Sequence, residues 1–390
     1  MAGGWSLRVY VAASSVMLLV LSWSTVAPIF PLYVRSLGAS IFLLGLLMAI
    51  SSLMGLIFRI PLAALSDRVG RVRMLLLGLL VASTSSLLYA LASNPLQLLP
   101  IIIYQTLPFS YFNPVAASIV SDLAPSERQG EVMGRYLISP SLGLVLGPVL
   151  CSLLVDHLGY RGLFLASALF PLLGFLLLLL LPPRVPRRGL EQPSVATSLR
   201  EVVTDRSLLL LSYCRAAFST SHSIFATLFS LYAVDVLGLA PSQVAALFTV
   251  RGVTNVVVRL PAGRASDRVG RRPLLIVAYA AIVLVNLLIA RAGGLPLLVL
   301  SLLLYGLAWG TRAVSEWAYL ADAVRPEVKT VAFSYLSTIF GLGSMLGSIL
   351  AGALSLRISY GEIFLVAALL NLSSVSLTLT LRDVRPAGRR

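Results

Sequence analysis

Charged residues are scarce in this chain of 390 residues. Asp, Glu, Lys and Arg make up 12% of it, about half the share typical of soluble domains, whereas hydrophobic residues make up 58% and the mean hydropathy is +0.93. A soluble protein of this length could not bury so much apolar surface in its core, which excludes a soluble fold. The lipid bilayer is the solvent that suits this composition.

Cysteine and histidine are rarer still, with two residues each, and Lys329 is the single lysine. Cys151 and Cys214 both lie inside apolar runs, so a disulfide framework is not expected. The sequence has no metal-binding cluster of His and Cys and no phosphate-binding loop of the form Gly-x-x-x-x-Gly-Lys-Ser/Thr. No cofactor and no ATP-driven pumping are therefore expected. Neither paired acids nor a nucleophile with a base is visible, so nothing indicates an enzyme.

Long apolar runs fill most of the chain. A transmembrane helix needs about 20 predominantly apolar residues. Runs this long and continuous predict helices rather than barrel strands, which are short and alternate between polar and apolar residues. The predicted spans are 9–33, 41–62, 74–93, 97–121, 136–155 and 162–182 in the first half, and 207–234, 242–262, 274–291, 296–320, 330–354 and 361–381 in the second. The predicted fold class is all-α integral membrane with 12 transmembrane helices.

Basic residues outnumber acidic ones by 30 to 15, which gives a formal net charge of +15. Most of them fall on one side of the membrane when the N-terminus is placed in the cytoplasm, the positive-inside pattern. The charge therefore reflects topology, and no nucleic-acid partner is expected. We predict a multi-pass plasma-membrane protein with both termini in the cytoplasm.

A duplication divides the chain. The hexamer SDRVGR occurs at 66–71 and at 266–271, an offset of 267 − 67 = 200 residues, and the flanking segments 58–76 and 258–276 align without gaps. One six-helix unit has thus been repeated in the same orientation, which is one of the known transporter plans. The predicted domains are an N-terminal six-helix bundle at 1–183, a polar cytoplasmic linker at 184–206 and a C-terminal six-helix bundle at 207–390.

The repeated segment resembles the signature of the major facilitator superfamily, Gly-x-Leu-x-Asp-Arg-x-Gly-Arg-Arg, between its second and third helices. The first copy ends LSDRVGR, with Ala63 in place of the leading Gly, and the second reads GRASDRVGRR from Gly263. The resemblance covers essentially the whole chain. It implies a fold of two six-helix bundles and secondary transport by alternating access.

The repeated loop has an anchoring role and an implied gating role. Glycine permits a tight reversal, and arginine is attracted to anionic lipid on the cytoplasmic side. Resemblance to the family implies that each aspartate faces a helix start in the opposite half and closes the cytoplasmic side; the alternative is topological anchoring alone. The residues concerned are Asp67, Arg68, Gly70 and Arg71, and Asp267, Arg268, Gly270 and Arg271.

A second resemblance lies in the fifth span. Gly134, Gly143, Gly147 and Pro148 match the spacing of the family's antiporter signature, although Cys151-Ser152 stand where that signature ends in Gly-Gly. The resemblance favours export, and ordinary small-residue packing is the alternative. The fourth span lacks the arginine that proton-coupled relatives often carry, and the interiors of spans 1 to 6 hold no Asp or Glu.

The second half carries charge inside its spans. The residues concerned are Arg215 and His222 in span 7, Arg251 and Asn255 in span 8, and Arg312 and Glu316 in span 10. Charges at membrane depth are expected to face a cavity or a partner. Resemblance to the family places spans 7 and 10 at the cavity. Over spans 7, 8 and 10 together, three arginines against one glutamate favour an anionic or neutral substrate. Glu316 is the first candidate for a proton carrier, followed by His222. The alternative is an internal Arg312–Glu316 pair with snorkelling arginines.

The first half offers an aromatic and polar face instead. Tyr104, Gln105, Tyr111 and Asn113 lie in span 4 and Trp23 lies in span 1. This face suits an amphipathic organic molecule, and plain helix packing is the alternative. Together these features predict a monomeric secondary transporter in the lipid bilayer that exports a small organic solute with proton coupling. The alternatives are organic-anion uptake or exchange and, on the same scaffold, a transport-inactive receptor or a membrane enzyme.

Overall fold

The computed structural model describes residues 3–124, 129–180, 201–325 and 328–382, and these residues fold into α-helices. The helices of the first half are α1 (Gly3–Val26), α2 (Phe30–Ser36), α3 (Ile41–Val69), α4 (Arg71–Leu91), α5 (Leu98–Leu123) and α6 (Gln129–Leu178). Those of the second half are α7 (Arg206–Asp235), α8 (Pro241–Val269), α9 (Arg271–Ala290), α10 (Leu295–Ala323), α11 (Lys329–Leu354) and α12 (Tyr360–Thr378).

The twelve predicted crossings are all represented. Nine helices among the described residues are long and apolar enough to cross a membrane. One of them, α6, has 50 residues, about 75 Å, and therefore counts as two crossings. The helices α5 and α7, with 26 and 30 residues, are long enough to cross a membrane, and they complete the twelve. The all-α membrane fold of 12 helices in two six-helix bundles is thus confirmed.

One predicted span is divided in the structure, and one predicted break is confirmed. The first span was expected as one helix over 9–33, but α1 ends at Val26 and α2 begins at Phe30. Pro28 lies in the break and Pro31 in the first turn of α2, because proline lacks the N–H that a continuing helix requires. The predicted break between the spans 136–155 and 162–182 lies at Gly159 of α6, whose φ of 64° is a conformation that suits glycine.

The described chain divides into two compact units. The first contains Met1–Ser40, Ile50–Gly189 and Ala240–Thr249, and the second contains Ile41–Ala49, Leu190–Leu239 and Val250–Arg390. In the first unit α1 packs mainly against α6, and α4 packs against α5 and α6. The second unit repeats the scheme, with α7 against α11 and α12, and α9 against α10 and α12.

The predicted linker is described only from residue 201, and 184–200 lie outside the described residues. Residues 201–204 form one helical turn, after which Asp205 caps α7 by accepting a hydrogen bond from the Leu208 N–H at 2.9 Å. Arg325 donates from Nε to Glu201 Oε1 at 3.0 Å and from Nη2 to Oε2. These hydrogen bonds lower the pKa of the Glu201 carboxyl below its ordinary value of 4.5.

Candidate functional site

The repeated hexamer forms a charged joint between helix ends. Between α3 and α4, Gly70 has a φ of 110°, a conformation that disfavours any side chain. Arg71 is the first residue of α4. Its Nε lies 3.0 Å from Asp67 Oδ1, and its Nη1 lies 2.5 Å from Asp122 Oδ2. Asp122 is at the end of α5. The arginine thereby joins the ends of three helices in the first unit.

The second unit repeats this joint. Gly270 has a φ of 108°, and Arg271 lies 2.5 Å from Asp267 and 3.0 Å from Asp322 at the end of α10. The side chain of Arg271 is only 8% exposed, whereas that of Asp267 is 63% exposed. Arg68 and Arg268 are also exposed, as lipid-anchoring residues would be.

Sequence reasoning missed the third member of each joint, although a signal was present. Asp122 and Asp322 are separated by 322 − 122 = 200 residues, the offset of the repeated hexamer. An acid that recurs at the repeat offset is a candidate for pairing with the repeated arginines.

The glycines of the fifth span let α1 approach α6. The Ser24 hydroxyl donates a hydrogen bond to the Gly143 carbonyl at 2.6 Å. A Cβ added at Gly143 would lie 2.6 Å from the Met17 carbonyl oxygen, and one at Gly147 would lie 2.6 Å from the Thr25 nitrogen. Neither position has room for a side chain. Pro148 beside them is buried.

Gly134 belongs to the same motif but has no such neighbour, since a Cβ there would meet nothing within 4 Å. In the second unit, glycines 200 residues further along the chain again allow two helices to pack closely. A Cβ added at Gly343 would lie 2.6 Å from the Ala216 carbonyl oxygen, and one at Gly347 would collide with Thr220, both on α7. Close helix packing therefore explains this part of the motif in both units.

A buried charged cluster lies in the second unit. Glu316 Oε2 lies 3.0 Å from Arg215 Nη1 and contacts Arg312 Nη1. Arg312 and Glu316 are one turn apart on α10, and α7 supplies Arg215. The three residues are 6%, 2% and 0% exposed in the order Arg215, Arg312, Glu316. The snorkelling alternative is therefore wrong for these arginines, and the Arg312–Glu316 pair is present but is shared with Arg215.

Aromatic rings surround both guanidinium groups. Arg215 Cζ lies 4.4 Å from the ring centre of Trp317, and Arg312 Cζ lies 3.8 Å from that of Phe218. Such contacts stabilise a desolvated cation by about 2 kcal/mol. Some buried polar atoms nevertheless have no hydrogen-bond partner among the described residues: Arg312 Nε, Glu316 Oε1 and the Tyr279 hydroxyl.

Arg251 and His222 form an adjoining aromatic cluster in the same unit. Arg251 Cζ lies 5.2 Å, 5.3 Å and 5.8 Å from the ring centres of Phe225, Trp309 and Tyr305, respectively. His222 Nδ1 is 2.8 Å from the Tyr305 hydroxyl. The two clusters are continuous, because Phe218, which contacts Arg312, also stacks on His222 with ring centres 5.8 Å apart.

The α10 members of both clusters share one helix face. Tyr305, Trp309, Arg312 and Glu316 follow at steps of four, three and four residues. Sequence reasoning used only the last two, although the helical spacing could have added the aromatic pair. Asn255 is engaged elsewhere, since its Oδ1 accepts a hydrogen bond from Arg259 Nη2 at 3.0 Å.

The candidates of the first half make hydrogen bonds within the first unit. The Tyr111 hydroxyl donates to the Met74 carbonyl at 2.9 Å, and Gln105 Oε1 accepts from the Tyr89 hydroxyl at 3.0 Å. The Tyr104 hydroxyl is 3.0 Å from Thr84 Oγ1.

The two remaining first-half candidates differ in their surroundings. Asn113 is exposed on α5. Trp23 packs against Phe30 and Phe109, with ring centres 6.1 and 6.0 Å apart. The first half thus contributes aromatic surface here, whereas the buried charges described above belong to the second unit.

The duplicated helical units and the charged joint repeated in each are the architecture of a secondary transporter. The family model described as Major Facilitator Superfamily matches residues 12–240 and 211–390, which together span nearly the whole sequence. The chain therefore belongs to the Major Facilitator Superfamily.

Individual relatives agree with this assignment. The multidrug resistance protein MdtG of Klebsiella pneumoniae (strain 342) is 28% identical over 381 residues, which cover 94% of this chain and 91% of that protein. MdtG of Enterobacter lignolyticus (strain SCF1) is 27% identical over 361 residues, 89% of this chain and 85% of that protein. The crystal structure of the nucleoside transporter NupG superposes with a TM-score of 0.78 at 14% identity, covers 97% of this chain and 99% of that one, and shows the same fold.

Proposed function

We propose that this protein is a proton-coupled exporter that moves a small organic solute across the plasma membrane by alternating access. The observation that carries the proposal is the buried cluster of Arg215, Arg312 and Glu316. A carboxylate inside a membrane is expensive to bury, so its presence there points to a substrate or proton pathway. The relatives named multidrug resistance proteins support the outward direction.

In this proposal Glu316 takes up and releases the coupling proton, and the arginines with their aromatic neighbours bind the solute. His222, held 2.8 Å from Tyr305, is the second candidate for the proton. The two repeats would rock about the site, as in other transporters built from parallel repeats. The hexamer aspartates, Asp67 and Asp267, would hold the cytoplasmic side closed.

The proposal also keeps the predicted topology. The chain would act as a monomer with both termini in the cytoplasm. Its two bundles would be limited by residues 183 and 207, with the cytoplasmic linker between them.

Transport into inverted membrane vesicles tests this function. Three radiolabelled probes share a phenyl ring and differ in charge: benzenesulfonate, benzenesulfonamide and benzyltrimethylammonium. An exporter accumulates at least one of them inside inverted vesicles, and an imposed pH gradient changes the initial rate. Glu316→Gln is expected to abolish the response to the gradient, whereas Glu131→Gln, a change of an exposed glutamate in the first unit, leaves it intact.

Two results would contradict the proposal. A transport rate that does not change with the pH gradient would contradict proton coupling. If none of the probes is transported by protein that is folded and binds them, a transport-inactive receptor or a membrane enzyme replaces the exporter.

Organic-anion uptake or exchange is the second candidate. Three arginines against one glutamate in the two joined clusters favour it. An exchanger accelerates efflux of preloaded benzenesulfonate when the same anion is added on the opposite side, and a unidirectional exporter does not.

A further inference from the structure

We propose that the solute is an organic anion and that it binds at Arg215 and Arg312 together with a proton on Glu316. This inference rests on the transport site of the proposed function, the charged cluster of the second unit, and on its second candidate, organic-anion uptake or exchange. It adds the chemical class of the solute and the sign of its coupling to protons. In an exchanger of cationic drugs for protons the coupling has the opposite sign, because the cation and the proton compete for binding.

The first step is the charge of the cluster. Two guanidinium groups share one carboxylate oxygen, Glu316 Oε2, which leaves one positive charge without a partner inside the cluster. Cation–π contacts with Trp317 and Phe218 compensate only part of the lost hydration. A second anion at these guanidinium groups would neutralise the cluster.

The second step is the set of free polar atoms. Arg312 Nε is buried and, within the described part of the chain, has no hydrogen-bond partner, so an anion that enters the cluster would supply the missing acceptor. Glu316 Oε1 likewise has no partner there, while Oε2 faces both arginines. A proton can therefore bind at Oε1 while the arginines remain on the other side of the carboxyl group.

The groups that face Glu316 come from three helices. Arg312 is on its own helix, Arg215 and Cys214 are on α7, and Tyr279 on α9 interacts electrostatically with Glu316. The Tyr279 hydroxyl has no hydrogen-bond partner among the described residues and is fully buried. Neither the thiol nor the phenol carries a charge at neutral pH. The electrostatics are therefore set by two cations and one carboxylate.

The third step is the linkage. A second negative charge a few ångströms from Glu316 favours its neutral, protonated form. A protonated Glu316 in turn releases its hold on Arg215 and Arg312, which strengthens their binding of the anion. Because coupling is reciprocal, the anion and the proton strengthen each other by the same factor, on the order of 10- to 100-fold. Solute and proton then cross the membrane in the same direction, so an inward proton gradient drives the anion inward, as in the second candidate function, organic-anion uptake.

The surroundings limit the body of the solute. The charged centre is bordered by the rings of Trp317, Phe218 and Phe340, with Arg215 Cζ 5.4 Å from the ring centre of Phe340. Flat apolar surface suits an anion with an aromatic or similarly planar body. Aryl sulfonates, carboxylates and phosphonates have this combination.

Proton uptake during binding tests the proposal. Benzenesulfonate is added to the purified protein in weak buffer, and the pH change is read with an indicator dye. Benzenesulfonate stays ionised, so any proton taken up binds to the protein. The expected result is net proton uptake, of up to about one proton per anion bound, and an affinity that rises by about 10- to 100-fold in total as pH falls and Glu316 becomes protonated.

Two variants test the roles of Glu316 and Arg215 in this binding. Glu316→Gln imitates the protonated state, so it should bind benzenesulfonate about 10-fold or more tightly at neutral pH, with no proton uptake. Arg215→Gln leaves a neutral Arg312–Glu316 pair and should lose both binding and uptake. Glu131→Gln is the matched control and should behave as the unaltered protein does. The proton measurement on the unaltered protein stands even if a variant fails to fold.

The outcomes separate this inference from the proposed function. Proton release on binding of benzyltrimethylammonium would contradict the proposal that the solute is an anion and would leave a proton-coupled exporter of cations. Binding of benzenesulfonate without proton uptake would overturn the linkage. If benzenesulfonate binds neither the unaltered protein nor Glu316→Gln, the anion site is wrong, and transport of the neutral or cationic probe in inverted vesicles then decides whether export stands.

Discussion

Arg71 Nη1 lies 2.5 Å from Asp122 Oδ2, and the pair 200 residues further on, Arg271 and Asp322, repeats the contact at 3.0 Å. Each arginine also binds the aspartate of its own hexamer, four residues earlier. The signature loop is therefore a joint inside each unit. The aspartates that precede it remain partly exposed, with side-chain exposures of 37% for Asp67 and 63% for Asp267.

Asp67 and Asp122 are expected to respond differently to substitution. Asp67→Asn removes a partly exposed pair and leaves the Arg71–Asp122 contact, so stability should fall by less than about 1 kcal/mol. If Asp67 also closes the cytoplasmic side, transport should fall about 10-fold or more. Asp122→Asn removes a partner that is only 12% exposed and should lower stability by about 1–3 kcal/mol.

Thermal unfolding of the purified variants, together with flux in inverted vesicles, checks both expectations. Asp322→Asn is the matched variant in the second unit and should resemble Asp122→Asn in stability. Normal transport by Asp67→Asn would restrict that residue to anchoring.

The fifth-span glycines give a prediction with a control inside the same motif. Gly147→Ala should destabilise the protein by about 2 kcal/mol or more, because its Cβ would collide with the backbone of α1 at Ser24 and Thr25. Gly347→Ala should do the same in the second unit, against Thr220. Gly134→Ala meets nothing within 4 Å and should be neutral or stabilise α6 by up to about 1 kcal/mol.

Thermal unfolding temperatures of the three alanine variants provide the measurement. Equal stability of Gly134→Ala and Gly147→Ala would contradict the close approach of α1 and α6. Loss of transport in a Gly147→Ala protein that is fully stable would instead favour the signature's role in export.

The spans can be predicted from the sequence because the length and hydropathy of a segment depend on that segment alone. The sequence does not predict the break between Val26 and Phe30, because both sides are apolar and proline can either bend or end a helix. Helical spacing groups residues on a face but does not say which neighbour that face meets. Tyr111 and Gln105 therefore looked like cavity residues, and the structure shows their hydrogen bonds within the first unit.

Local sequence patterns also do not predict which charged residues pair between different helices. Arg312 and Glu316 are four residues apart, and their pairing follows from helix geometry. The participation of Arg215 does not follow, because it depends on how α7 packs against α10. The repeat offset was the one long-range signal, and it connects Asp122 with Asp322.

The contact between Glu201 and Arg325 predicts a pH-dependent docking of the turn at 201–204. Hydrogen bonds from Arg325 lower the pKa of Glu201, so the charged carboxylate is favoured in the docked state. A lowered folded-state pKa gives stabilisation that is present above the ordinary value of 4.5 and is lost as pH falls through the lower folded value. The turn should therefore stay docked at neutral pH and loosen in acid.

Hydrogen exchange of 201–208 measured at pH 7 and below pH 4.5 tests this docking, with rates corrected for their intrinsic pH dependence. Glu201→Gln should exchange at pH 7 as the unaltered protein does in acid. Unchanged protection in acid, or in that variant, would show that Asp205 and apolar contacts hold the turn without the ion pair.

Arg251→Ala separates a ligand-binding arginine from a structural one. Arg251 adjoins the charged cluster and lies among Phe225, Tyr305 and Trp309, so an organic anion bound at Arg215 and Arg312 that extends to Arg251 would meet a further cation and more aromatic surface. Loss of a charged hydrogen bond of about 1.5–3 kcal/mol corresponds to an affinity about 10- to 150-fold weaker. The thermal stabilisation of the protein by benzenesulfonate should therefore largely disappear.

The matched control for Arg251→Ala is Arg259→Ala, eight residues further along α8, whose side chain bonds to Asn255. It should keep the stabilisation by benzenesulfonate. A structural role of Arg251 predicts the reverse signature, in which the unliganded Arg251→Ala protein unfolds at a lower temperature and the shift caused by benzenesulfonate remains. Stabilisation by benzyltrimethylammonium alone would identify the arginines as structural and leave Glu316 as the centre of a cation exporter.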